Sequence, residues 1–504
     1  MKNILEFLEA SSASFGDKIA FADEESAISF AQLQAMAKAG GTQLIKRGLN
    51  NEPVVVFMKK APQTICAFFA GIYAGCCYVP MDVGMPLHRV RMILQKLSPR
   101  VIICDDSSEQ TAVELGYGDK ILRAGELFAA QPDEAALAAV RAKSLDIDPI
   151  YIVFTSGSTG TPKGVTACHR SVIDYANALC PVIGASPDSV FAMQVPLYVD
   201  ACMKEILSVI KCGSKAYLMQ QSLFLTPLKV LDFLNKHRIN TVCWVASALT
   251  LVSGLGAFAE GRPEYLRTVC FGSEVFPVKQ LKLWQQAAPD ARFINLYGPT
   301  EATGMSFYYE VCREFEDNEP IPVGRPFDNT GFFLLREDNT QAADGEIGEI
   351  CIRGTAVTLG YYDDPEKTAS VFVQNPLNSR YPEIIYRTGD LGRINERGEL
   401  VFVSRKDNQI KSMGHRVELG EIEACACMLD GVENACCLFD KQKKKLYLYY
   451  MGTAYEKAVR AYLIKELERY MIPSKLFRMD VLPMLPNGKI DRNTLTEMYN
   501  GRNI

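Results

Sequence analysis

Short apolar runs at 54–57, 101–104, 150–154, 216–219, 241–244 and 292–296 predict buried strands. Between them lie amphipathic stretches such as 228–236 and 278–287, where apolar residues return at helical spacing. This alternation predicts α/β layering on largely parallel sheets through the first 340 or so residues. After about Asn329 the texture changes to strands separated by turns, at 331–335, 349–353 and 399–403, which predicts a β-rich subdomain. From about Gly414 helix and strand return in a smaller α+β unit. The fold class expected is therefore α/β: a large N-terminal body of several subdomains with layered sheets, plus a small C-terminal domain.

Composition agrees with that picture. A chain of 504 residues, 48% hydrophobic and 22% charged, is too long for one ordinary core and has ample apolar content for two or more. The net charge of −5 gives no electrostatic reason to expect nucleic acid or an anionic membrane, although local basic sites for phosphate remain open. The 16 cysteines are scattered through apolar runs, as at Cys76-Cys77 and Cys436-Cys437, with no CxxC pair at zinc spacing and four histidines far apart. Buried thiols in a reducing cytoplasm are the expectation. The first residues have no long apolar stretch of a signal peptide. The most apolar window, 67–81, is short and broken by glycines, so no membrane span is expected.

The strand at 150–154 runs into Thr155-Ser156-Gly157-Ser158-Thr159-Gly160-Thr161-Pro162-Lys163-Gly164. Glycines let backbone N–H groups close around phosphate oxygens, hydroxyls add donors, and Lys163 offsets charge. The segment departs from the Walker A pattern because Lys163 is followed by Gly164 rather than Ser or Thr. A surface turn has similar composition, but here the run directly follows a buried strand.

This loop is similar to the phosphate-binding loop of the adenylate-forming superfamily, which includes amino-acid adenylation domains, acyl- and aryl-CoA ligases and luciferases. Four further segments match in the superfamily's order. Asn295-Leu296-Tyr297-Gly298-Pro299-Thr300-Glu301 resembles its adenine and magnesium segment, and Tyr386-Arg387-Thr388-Gly389-Asp390 its ribose motif. Ser404-Arg405-Lys406-Asp407 resembles the hinge, with Ser404 in place of the usual glycine, and Gly414-His415-Arg416-Val417-Glu418 the loop after it. Pro486-Asn487-Gly488-Lys489-Ile490-Asp491 resembles its C-terminal lysine motif. The resemblance implies ATP as cosubstrate with Mg²⁺. It also implies an adenylation core over residues 1–406 and a mobile domain over 407–504 that turns about Asp407 and carries Lys489.

Each match has chemical sense. Tyr297 offers a face for adenine to stack upon. Glu301 is an oxygen ligand suited to Mg²⁺, which is commonly held by one or two carboxylates plus phosphates. Asp390 can accept both hydrogen bonds of a ribose diol, although a lone TGD tripeptide is more often a turn. The resemblance places Thr155 and residues 156–160, Lys163, Asn295, Gly298, Thr300 and Arg405 around the nucleotide. It also implies that Lys489 steadies the substrate carboxylate and the developing charge at the α-phosphate, with Thr155 and Glu301 assisting catalysis. Attack by a carboxylate on phosphorus needs placement and charge neutralisation more than covalent help from the protein.

The acid is read from Asp200, which precedes a helix with the apolar stripe Met203, Ile206, Leu207 and Ile210. Asp200 could simply cap that helix. In amino-acid adenylation domains an aspartate at the matching place pairs with the substrate's α-ammonium, which favours an amino-acid substrate. The same matching assigns Ala201, Lys204, Ser247, Val269, Phe271, Gly272, Leu296, Gly304 and Met305 to the acid-binding pocket. Lys204 lies one turn beyond Asp200, so it would pair with Asp200, run out to water, or read a second substrate carboxylate. Residues 272–279 and 297–303 also resemble D-alanine–carrier protein ligases, which tend to have cysteine where this chain has Phe271. That alternative, and an acyl- or aryl-CoA ligase, stay open. With no carrier segment after Lys489, a separate carrier protein bearing phosphopantetheine is the expected acceptor and coenzyme A the runner-up.

Overall fold

The computed structural model describes residues 1–156, 161–406, 409–441, 443–484 and 490–501. The chain divides into two compact units. The first comprises Met1–Val83, Leu97–Phe154 and Gly164–Lys406; the second comprises Gly84–Lys96, Thr155–Lys163 and Asp407–Ile504.

The apolar runs become strands of two layered sheets. A six-stranded sheet has the order Ile121–Arg123, Ile102–Cys104, Pro53–Phe57, Cys77–Met81, Pro149–Thr155, Lys163–Cys168. A nine-stranded sheet has a parallel centre, from Arg292–Tyr297 through Thr268–Gly272, Thr241–Val245, Val190–Met193 and Lys215–Leu218 to Ile19–Ala22. Antiparallel strands close both of its edges. Strands buried on both faces need continuous apolar sequence, which is why the runs read as unbroken rather than alternating. One core cluster takes Val54, Val56 and Tyr151 from the smaller sheet and Phe21, Phe191 and Cys270 from the larger. Between them it includes residues of the helices Phe30–Lys46, Pro62–Tyr73, His169–Ile183 and Met203–Cys212. A second cluster covers the other face of the larger sheet with Pro227–Lys236, Ala246–Gly254 and Val278–Ala287 around Trp244 and Trp284.

The β-rich subdomain is antiparallel, ordered Thr330–Leu335, Gly348–Gly354, Ile384–Ile394, Phe372–Gln374, with Leu400–Arg405 also paired to Ile384–Ile394. In the second unit, Gln409–Ser412 and His415–Glu418 form a hairpin. Val432–Asp440, Lys445–Gly452 and Lys475–Met479 form a three-stranded sheet with the helices Leu419–Cys427 and Glu456–Glu466 packed on it through Ile422, Val459 and Leu463. The architecture is the α/β arrangement expected from the pattern. Among the described residues no helix is long and apolar enough to cross a membrane.

Candidate active site

The antiparallel register of Ile384–Ile394 with Leu400–Arg405 sets Asp390 opposite Arg405. Arg405 Nη1 donates to Asp390 Oδ1 at 2.5 Å, and the Tyr297 hydroxyl donates to Oδ2. Asp390 is therefore not a turn aspartate bonded to its own neighbourhood. Its amide is fixed by Thr388 Oγ1 at 3.0 Å, and that hydroxyl in turn donates to the Ile350 carbonyl at 2.7 Å. Beneath the turn, buried Glu349 accepts from the Gly389 amide at 3.0 Å and from Arg387 Nη2 at 2.6 Å. Burial first, then the charge of Asp390, hold the Tyr297 hydroxyl well above its usual value, so it remains a donor. The Tyr297 ring meets Phe307 edge-on at 5.7 Å.

Tyr297 leads into the turn Thr300–Ala302, where Glu301 is fully buried. Its Oε1 accepts the Tyr361 hydroxyl at 2.7 Å, and its main-chain carbonyl accepts the Thr358 amide at 3.0 Å. Gly298 is required by close approach, since a Cβ there would lie 2.4 Å from the Gly304 carbonyl oxygen. Gly304 follows Thr303 in the left-handed region, at φ +82° and +55° respectively. The Asn295 side-chain amide donates to the Pro322 carbonyl at 2.8 Å, which stiffens the strand end beside Tyr297. Thr300 opens the turn.

The glycine-rich loop joins Pro149–Thr155 to Lys163–Cys168. Gly157, Ser158, Thr159 and Gly160 lie outside the described residues, as do Asp407 and Lys489. Thr155 Oγ1 is buried with no hydrogen-bond partner among the described residues, which suits a group awaiting a phosphate oxygen. Within the second compact unit, the Ser156 hydroxyl donates to the Arg416 carbonyl at 2.6 Å, and Lys163 Nζ stands 4.0 Å from Glu418 Oε1.

Asp200 begins the short turn Asp200–Cys202 ahead of the helix Met203–Cys212, and neither N-cap residue, Val199 or Cys202, supplies a side-chain capping bond. Asp200 is not itself the N-cap residue of either element and is 9% exposed. Every residue from Met203 to Ile210 is buried, and Lys204 at 3% exposure does not run out to water. The next residue, Glu205, is fully buried with neither carboxylate oxygen partnered among the described residues. Burial raises its carboxyl to about 7, opposed through space by Lys204 and Lys60. Lys60, just past the strand Pro53–Phe57, crosses to the larger sheet, where its Nζ donates to the carbonyls of Met193, Gln194 and Met219 at 2.6, 3.1 and 3.1 Å. Burial lowers this ammonium to about 8.

The residues assigned to the side-chain pocket divide between sheet faces. Leu296 and Met305 share a core cluster with Cys202 and Met203, whereas Val269 and Phe271 join Trp244 and Trp284 in the other. The Phe271 ring packs on Phe276 at 4.8 Å. Ala201 is buried beside Asp200, and the Ser247 amide donates to Glu274 Oε2 at 2.8 Å. Gly272 admits the neighbouring strand, since a Cβ there would be 2.2 Å from the Leu296 carbonyl oxygen.

The model of a family described as AMP-binding enzyme matches residues 8–362, which hold the phosphate loop, the Tyr297–Glu301 segment and Asp200. This chain belongs to the AMP-binding enzyme family. It is an adenylate-forming enzyme, related by sequence to tyrocidine synthase 1 of Brevibacillus parabrevis, 28% identical over 98% of this chain and 45% of that protein. It is also related to an L-proline–[L-prolyl-carrier protein] ligase of Streptomyces coelicolor, 30% identical over 93% of this chain and 91% of the relative. The chain thus spans less than half of the first relative and nearly all of the second. The fold matches that of holo-PA1221, an NRPS protein containing adenylation and PCP domains, with a TM-score of 0.82 at 22% identity over 99% of this chain and 84% of that one.

Reading the sequence of this AMP-binding enzyme did not single out Glu205, Lys60, Tyr361 or Glu349. A signal existed for Glu205: two charged residues, Lys204 and Glu205, interrupt a helix that is otherwise apolar over 203–210 but for Ser208. Tyr361 lies 60 positions from its partner Glu301, and Glu349 lies 40 and 38 positions from its partners Gly389 and Arg387, so no local pattern links them.

Proposed function

We propose that this enzyme activates an amino acid with ATP and Mg²⁺ and passes the aminoacyl group to the phosphopantetheine thiol of a separate carrier protein. The amino-acid reading rests on Asp200, a buried carboxylate at the head of the helix Met203–Cys212 that does not cap it. A carboxylate so placed is suited to an α-ammonium. The carrier is supported by the name of the Streptomyces relative, which matches over nearly its whole length.

In this reading Asp390, oriented by Arg405 and Tyr297, receives the ribose diol. Those two donors fix the plane in which the carboxylate faces its ligand. Thr155, residues 156–160 and Lys163 receive the phosphates. Glu301, oriented by Tyr361, fits a Mg²⁺ that also takes phosphate oxygens. Bound there, the ion neutralises charge on the leaving pyrophosphate. The acid's carboxylate oxygen attacks the α-phosphorus, the bond to the β-phosphate oxygen breaks, and pyrophosphate departs. The carrier thiol, giving up its proton, then attacks the carbonyl carbon and AMP departs. Lys489 is assigned to the carboxylate and α-phosphate in the first step, and Asp407 to the hinge between residues 1–406 and 407–504. Lys204, a buried cation near Asp200, suits a substrate with a second carboxylate, as in glutamate or aspartate.

The test is pyrophosphate release with ATP, Mg²⁺ and a panel of both enantiomers of alanine, glutamate and aspartate, the other proteinogenic amino acids, benzoates and short fatty acids. Turnover on an acidic amino acid is expected. D-alanine alone would move the chain to the D-alanine–carrier ligases, and turnover only on acids without an α-amine would remove Asp200 from its role. Lys489→Ala is expected to abolish adenylation while leaving ATP binding largely intact, and full activity in that variant would overturn its assignment.

A further inference from the structure

Residues 155–163 belong to the same compact unit as the hairpin of Gln409–Ser412 and His415–Glu418. That hairpin is held firmly within the unit. The His415 ring stacks on Tyr470 at 3.9 Å, and Ser412 Oγ donates to the Tyr470 carbonyl at 3.1 Å. Gln409, opposite Glu418 in the register, donates from Nε2 to Glu418 Oε1 and so sets the direction of that carboxylate.

Two acceptors of the hairpin meet two donors of the glycine-rich loop. The Ser156 hydroxyl donates to the Arg416 carbonyl at 2.6 Å. Lys163 Nζ stands 4.0 Å from Glu418 Oε1, and the two side chains are only 7% and 9% exposed. A hydroxyl has a single proton to give, so Ser156 serves the Arg416 carbonyl or a phosphate oxygen, never both at once. At Lys163 the exclusion is electrostatic. A buried ammonium needs a countercharge, and a carboxylate 4.0 Å away repels any phosphate brought to the same ammonium. A carbonyl oxygen at the hydroxyl and a carboxylate oxygen at the ammonium offer what two phosphate oxygens would offer there.

We propose, on the reading of residues 155–163 as the phosphate loop, that Glu418 and the Arg416 carbonyl stand in for phosphate oxygens at Lys163 and Ser156. The hairpin and pyrophosphate then compete for the same donors. An order of events follows: the hairpin seats only after pyrophosphate has left. Once seated, it satisfies the hydroxyl and the ammonium that pyrophosphate gives up, and it opposes the return of that product. Glu418 is a positioning residue that acts through Lys163.

The test titrates the whole protein by calorimetry with inorganic pyrophosphate in the presence of Mg²⁺ and, separately, with AMP. Glu418→Gln keeps the shape and an acceptor for Gln409 but loses the charge. It should bind pyrophosphate about tenfold more tightly than the wild type, a coupling of the usual size between two sites, with AMP affinity unchanged. Lys163→Ala should weaken pyrophosphate binding, and adding Glu418→Gln to it should change the affinity by about twofold or less. Equal pyrophosphate affinity in the wild type and Glu418→Gln would overturn the proposal, as would a tenfold gain that persists without Lys163. Wild-type affinity in Lys163→Ala would instead remove Lys163 from the phosphate loop, and the proposal with it. Glu418→Asp, which draws the carboxylate back by one carbon, should tighten binding in the same direction and decides the question if Glu418→Gln does not fold.

Discussion

At Asp390 both carboxylate oxygens are met by donors belonging to the fold, Arg405 and Tyr297, and the turn beneath is tied to Glu349. At Glu205, in the same compact unit, neither oxygen has a hydrogen-bond partner among the described residues, and two lysines act on it only through space. One region has its carboxylate fully met by the fold; the other holds a buried carboxyl whose oxygens have no hydrogen-bond partner among the described residues. A nucleotide is the same molecule in every turnover, so a rigid receptor for it loses nothing and saves reorganisation. In the proposed reading the acid meets Asp200 at the head of the same helix, and selecting one acid among many is a matter of differences that an unsatisfied buried carboxyl nearby would sharpen.

The largest effect expected from this contrast is at the finished end. Asp390→Asn keeps the shape but removes the charge from two hydrogen bonds, each worth about 1.5–3 kcal/mol, and disturbs the acceptor for the ribose. The kcat/KM for ATP should fall about 100-fold or more, by the same factor for every acid the enzyme accepts. Steady-state kinetics with two acids checks this. A loss confined to one acid's KM would mean that the two regions are not separate.

Glu205 sharpens the contrast through pH. Its folded carboxyl titrates at about 7 against 4.5 for the free group, so between those values the folded state holds a proton that the unfolded state has released. Stability from this group is therefore present at low pH and lost as pH rises toward 7, by about 3 kcal/mol at most. Glu205→Gln cannot titrate. The gap between the two proteins in urea unfolding should shift in favour of the variant from pH 5 to pH 8. A constant gap would show that burial does not govern this carboxyl.

The two regions were unequally legible in sequence. Six strands of the two layered sheets followed from apolar runs, because a buried strand needs little more than its own residues to be recognised, whereas the division of strands between two sheets is a tertiary matter. Asp390, Arg405 and Tyr297 carried a motif, but their convergence is tertiary: Tyr297 ends an inner strand of the larger sheet and Asp390 comes from the β-rich subdomain. Tyr297 was expected to present its face; the structure adds a hydroxyl committed to Asp390. At the acid end, the alternation of side chains along Thr268–Gly272 put Val269 and Phe271 on the face opposite Cys270, a distinction that matching by position does not carry. Lys60 was invisible because what it does depends on three carbonyls more than 130 residues away.

The smallest effect expected is at Tyr361, and it asks whether the finished character of the nucleotide end extends to Glu301. The Tyr361 hydroxyl donates to Glu301 Oε1 at 2.7 Å, and Glu301 is fully buried, so this bond fixes which way the carboxylate faces. The ring is held independently, packed edge-on to Phe372 at 5.7 Å and clustered with Val165 and Tyr386, so Tyr361→Phe should fold normally. Removing an outer partner of a metal-binding carboxylate typically weakens metal binding by about 10–100-fold. Because only one donor is lost, the low end applies: the Mg²⁺ concentration for half-maximal adenylation should rise about tenfold, with the ATP KM at saturating Mg²⁺ nearly unchanged. A magnesium titration of pyrophosphate release reads both quantities. If the variant instead loses affinity for ATP at every Mg²⁺ concentration, Tyr361 supports the nucleotide's own contacts and Glu301 is not the magnesium ligand. If neither quantity moves, the preorganisation seen at Asp390 stops short of Glu301, and the contrast between the two ends narrows to the ribose alone.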